Sequence, residues 1–68
     1  MVISFNKEIY KVLAIKEAVQ AYKKICKLDL RVEKKYLNVY FPTTFKGDID
    51  FICSEFCNYA LALTKKYE

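Results

Sequence analysis

The 68-residue sequence predicts an α+β fold, a two-layer sandwich in the order β-α-β-β-α whose antiparallel sheet carries both helices on one face. Three observations predict it. Residues 28–41 hold two runs that alternate apolar and polar, the period of half-buried strands. On either side of them, longer segments repeat apolar residues at intervals of three and four, the period of a helix with one buried face. A short β-branched run near Val2 supplies a further strand. Two helical stripes and one apolar sheet face bury each other when both helices lie on the same side.

Val2 to Phe5 reads as a strand, followed by the turn-compatible Asn6-Lys7-Glu8, with an extension toward Ile9 and Tyr10 left open. From about Leu13 the period changes. Ile15, Ala18, Val19, Tyr22, Ile25 and Cys26 share one side, and Lys16, Glu17, Gln20, Lys23 and Lys24 the other, which predicts an amphipathic helix ending near Ile25. Its first turn lacks a good capping side chain, since Lys11 and Val12 stand where Ser or Asp is preferred.

Next comes a hairpin. Leu28, Leu30 and Val32 alternate with Asp29, Arg31 and Glu33, and Leu37, Val39 and Phe41 with Tyr36, Asn38 and Tyr40. A two-residue loop at Lys34-Lys35 sets Val32 opposite Leu37 and Leu30 opposite Val39, so that every apolar residue falls on one side. A slip of one residue would scramble that agreement. The loop is chemically poor, because primed turns favour Gly or Asn, and a longer loop stays open as an alternative. Pro42 stops the second strand and Thr43-Thr44-Phe45-Lys46-Gly47 forms a loop. Asp48 suits an N-cap and Asp50 the first turn of a second helix, with Ile49, Ile52, Cys53, Phe56, Ala60, Leu63 and Tyr67 as its stripe and Cys57 on the border. The position of the first strand in the sheet is not fixed by periodicity.

Length and composition allow one domain, residues 1–68, with 54% hydrophobic residues and a formal charge of +4. No run of eighteen apolar residues and no signal-peptide pattern is present, so a soluble, cytoplasmic protein is expected. Three cysteines at Cys26, Cys53 and Cys57 do not make a disulfide framework and fit a reducing setting.

Cys53 and Cys57, one helical turn apart, raise the question of a metal or a redox pair. A structural zinc site takes four ligands, usually Cys and His, and the chain has no histidine. A bridge between them would distort the helix, and nucleophilic Cys or Ser chemistry lacks its usual base. The cysteines read as small buried hydrophobes. Asp48 and Asp50 are accounted for by helix capping, and the single glycine, Gly47, cannot build a phosphate loop of the glycine-rich kind. The chain is expected to be non-enzymatic, with no catalytic residue, metal or cofactor.

What remains is binding. The second face of the hairpin carries Arg31, Tyr36, Asn38 and Tyr40, beside Asp29 and Glu33, and helices on one side leave this face open. Aromatics beside a cation on an open sheet suit RNA bases, and Lys34 and Lys35 would then add phosphate contacts. Asp29 and Glu33 would repel phosphate on the same face. A protein interface, with a second copy of the chain or with a peptide, ranks first, ordinary surface second and nucleic acid third.

The stretches "SFNKEIYKVLAIKEA" and "SEFCNYAL", on either side of the hairpin, resemble the small D protein of the His-Xaa-Ser repeat systems, with Tyr10, Ala14, Ile15, Ala18, Phe56 and Asn58 as matching positions. The family's last helix continues differently from Asn58-Tyr59-Ala60-Leu61, which suits a stand-alone relative. The resemblance implies an accessory protein associated with radical-based peptide-modifying enzymes, one that presents or recognises a peptide, and it brings no active site with it.

Overall fold

The computed structural model describes residues 1–42 and 47–67. Its elements are β1 (Val2–Asn6), α1 (Val12–Tyr22), β2 (Asp29–Val32), β3 (Tyr36–Tyr40) and α2 (Ile49–Lys66). The sheet is antiparallel throughout in the order β1-β3-β2, and the helices pack on one face of it, the α+β sandwich that the periodicities predict. The loop expected at Thr43-Thr44-Phe45-Lys46 lies outside the described residues.

The hairpin has the register its alternation demands, with Leu30 opposite Val39 and Val32 opposite Leu37. Glu33 N–H donates to the Tyr36 carbonyl at 2.8 Å, closing a two-residue loop at Lys34-Lys35. Among the described residues none has a positive φ, so this is not a primed turn. The chain leaving β1 braces it instead: Lys7 N–H donates to the Lys35 carbonyl at 3.1 Å.

β1 takes the place that periodicity left undetermined, on the far side of β3, with Ile3 opposite Val39 and Phe5 opposite Leu37. It stops at Asn6 rather than running on. The Asn6 side chain accepts from Glu8 N–H at 2.8 Å, and its carbonyl accepts from Ile9 and Tyr10 N–H, which turns the chain. Ile9 is left exposed, while Tyr10 meets Phe5 edge-on at 4.9 Å.

α1 ends about a turn earlier than the apolar spacing suggests. The N–H groups of Ile25 and Cys26 both donate to the Tyr22 carbonyl in a final turn that leaves Ile25 exposed and tucks Cys26 against the core. The missing N-cap at Lys11 has a tertiary substitute: its backbone N–H donates to Thr64 Oγ1 on α2 at 3.3 Å. α2 starts as expected, with Asp48 Oδ1 accepting from Phe51 N–H at 3.1 Å. Asp50 in its first turn and Lys65 and Lys66 in its last complement the helix dipole.

Phe56 is fully buried at the centre of the core, with ring centroids of Tyr22, Phe41 and Phe5 at 5.2, 5.5 and 5.8 Å. Ala14, Ala18 and Ala60, also fully buried, let the helices approach closely. Ile15, Leu37 and Val39 complete the interior. One stripe position and one position outside the stripe depart from the pattern. Tyr67 lies at the surface and its hydroxyl donates to Glu17 Oε1 at 2.8 Å, whereas Thr64, a polar residue, is buried. Among the described residues no helix is long and apolar enough to cross a membrane.

Candidate binding face

The face of the sheet away from the helices is ordered by register into cross-strand rows. Val2, Tyr40 and Asp29 form one row, Ser4, Asn38 and Arg31 the next, and Asn6 with Tyr36 the last. The four residues singled out from sequence, Arg31, Tyr36, Asn38 and Tyr40, are thus brought onto a single surface. Tyr36 and Tyr40 remain 45% and 40% exposed, and Val2 beside Tyr40 is 50% exposed.

Two contacts organise this surface. The Arg31 guanidinium lies 5.9 Å from the centroid of the Tyr40 ring, within reach of the attraction between a cation and a ring face. The Ser4 hydroxyl donates to Asn38 Oδ1 at 2.6 Å, which orients the amide and takes one of its two acceptor positions. Ser4, Val2 and Asn6 are part of the face that sequence reasoning missed. Their alternation with Ile3 and Phe5 was a signal, but it could not be used until β1 had a neighbour.

Lys34 and Lys35 sit at the hairpin end of the sheet, where with Asn6, Lys7, Glu8 and Tyr36 they line an open cleft of about 380 Å³. At the opposite end, a larger open cleft of about 500 Å³ is lined by Lys23, Lys27, Leu28, Asp29, Tyr40, Phe41 and Pro42. Tyr40 therefore belongs both to the open face and to this cleft. In sequence, Lys23 looked like ordinary helix surface, because nothing local shows that the start of β2 returns beside it.

The cysteines lie elsewhere. Cys53 is buried and its thiol donates to Met1 Sδ at 3.2 Å, while Cys26 and Cys57 are half-buried against the core. Burial pushes all three thiols above their ordinary value, and at Cys53 the neighbouring Cys57 adds to the effect. Thiolate, the nucleophilic and metal-binding form, is therefore disfavoured at each position. Among the described residues no group of three or more His, Cys, Asp or Glu is placed to hold a metal ion.

No protein-family model, curated protein or solved structure matches the chain.

Proposed function

We propose that the chain is a non-catalytic binding domain that works through protein or peptide contacts on the open face of its sheet, in a reducing, cytoplasmic setting. The observation that carries this reading is the pair Tyr36 and Tyr40, 45% and 40% exposed on the helix-free side of the sheet beside Arg31 and Asn38. Tyrosine and arginine are the side chains most used as anchors at protein interfaces, since they offer large rigid area with a polar end. Asp29 and Glu33 mix their charge with that of Arg31, which suits a peptide or protein surface better than a run of phosphates. The resemblance to the small D protein supports an accessory role of this kind, as a domain that presents or recognises a peptide for a separate radical enzyme.

Selection of a random dodecapeptide library against the wild-type chain, with counter-selection on a Tyr36→Thr/Tyr40→Thr variant, tests the reading. Enriched peptides that bind the wild type and not the variant are expected. Absence of any such peptide overturns the reading. So does tight binding of single-stranded RNA that falls steeply with salt, which would assign the face, with Lys34 and Lys35, to nucleic acid.

A further inference from the structure

β2 is an edge strand, and its free edge is not neutral. The Glu33–Tyr36 bond closes the hairpin, so by the alternation of an antiparallel ladder Asp29 and Arg31 turn their backbone groups toward β3. Leu30 and Val32 turn theirs outward. From Lys27 to Glu33 the charges run plus, minus, plus, minus at every second residue, with Asp29 and Arg31 on the open face of β2. Natural edges are usually guarded by lysines or other charges that keep copies apart. Strict alternation of sign does the reverse when an apolar residue between two opposite charges lies on the two-fold axis.

We propose that the outer edge of β2 pairs antiparallel with β2 of a second copy, centred on Leu30, joining the two sheets into one. In that register Leu30 faces its own counterpart, and Asp29 faces the partner's Arg31 on both sides of the two-fold axis. Lys27 and Glu33 pair in the same way beyond the strand ends. The residues that meet across hydrogen bonds are those whose backbone groups already point outward. Val32, on the helix-bearing side but 51% exposed, comes opposite the partner's Leu28.

Neighbouring registers fail either on charge or on the extent of the strand. Centring on Asp29 sets that carboxylate against its own copy and Lys27 against Arg31. Centring on Arg31 sets guanidinium against guanidinium and Asp29 against Glu33. Like charges directly opposite destabilise a strand pair. Centring on Leu28 or on Val32 also opposes opposite signs but pairs β2 with residues outside the strand, the turn that follows α1 in the first case and Lys34 and Lys35 in the second. Parallel in-register pairing places each charge beside its own kind. The other edge, β1, carries no charged residue between Val2 and Asn6 and has no comparable means of choosing a register.

This inference rests on the reading of the chain as a protein-contact domain and names a second copy as one partner. The test is sedimentation equilibrium of the full chain across a concentration series at low and high salt. Concentration-dependent self-association that weakens with salt is expected, as for exposed ion pairs. Asp29→Arg alone and Arg31→Asp alone each oppose like charges and should weaken association about tenfold. The two variants mixed should form a mixed dimer, and the double variant, with its signs exchanged, should self-associate like the wild type. Both positions are exposed, so the fold of each variant can be verified by cooperative unfolding. A wild-type mass that stays at 8.0 kDa throughout overturns the proposal, as does association that the single variants leave intact or the double variant fails to restore. Peptide capture that depends on Tyr36 and Tyr40 without self-association removes the edge pairing alone. Self-association without such capture removes the open-face peptide reading alone.

Discussion

The two faces of the sheet are built from alternate residues of the same three strands, yet they differ in almost every physical respect. On the covered side Ile3, Phe5, Leu30, Leu37 and Val39 meet the helices, with no charged residue among them and with Phe5, Leu37 and Val39 at most 2% exposed. On the other side Ser4, Asp29, Arg31, Tyr36, Asn38 and Tyr40 meet no helix. Backbone pairing is shared by both sets, so the contrast isolates what side chains contribute. Packing is concentrated on one side and adaptable polar and aromatic groups on the other. Stability and binding should therefore respond to different substitutions.

The sharpest way to break the covered side is at Phe56, the fully buried ring against which Phe5, Tyr22 and Phe41 pack. Phe56→Ala removes the ring and leaves a cavity bounded by the sheet and both helices. Truncations of this kind cost about 3–5 kcal/mol. A single core of this size supplies roughly the same amount in total. The variant is expected to lose its cooperative urea transition at 25 °C, and a transition retained near the wild-type midpoint would show that the core is distributed rather than centred on this ring.

A smaller effect is expected where the helices are tied together. Thr64→Val keeps shape but removes the acceptor of the Lys11 N–H, the group that stands in for a side-chain cap at the start of α1. Loss of one such bond costs about 1 kcal/mol. Urea denaturation should show a lowered midpoint with an unchanged slope. An unchanged midpoint would mean that water replaces the hydroxyl at no cost.

That bond also marks the boundary of what the sequence makes legible. The hairpin register follows from alternation alone, because a half-buried strand has only one face it can bury. The N-terminus of α2 follows from Asp48, whose side chain acts on a backbone group three residues away. Interactions of long sequence separation leave no such local trace. The place of β1 beside β3 depends on Ile3 and Phe5 meeting Val39 and Leu37, and the burial of Thr64 on its meeting Lys11. For the same reason the candidate face was half visible. Arg31, Tyr36, Asn38 and Tyr40 could be read from the hairpin, but Ser4 and Val2 joined them only once the strand order was known. The early end of α1 has a different origin: Ile25 matches the helical period, yet the last turn folds back so that Cys26, and not Ile25, reaches the core.

The open side gives the smallest stability effect and the clearest separation from binding. Tyr36→Thr/Tyr40→Thr replaces both rings with a residue that also favours strands, so backbone preference is nearly preserved. It removes apolar area that is already in contact with water, together with the cation–ring contact of Arg31. Such surface changes are usually worth within about 0.5 kcal/mol each. Denaturation of the dilute variant should therefore stay close to the wild type even as peptide capture is lost. A large loss of stability that grows with protein concentration would carry a different message. It would mean that these rings are buried between copies in the wild-type protein, since a ligand that binds only the folded state, a second copy included, stabilises it by mass action. The concentration dependence of the difference between the wild-type and variant unfolding curves thus decides whether Tyr36 and Tyr40 await a partner or already have one.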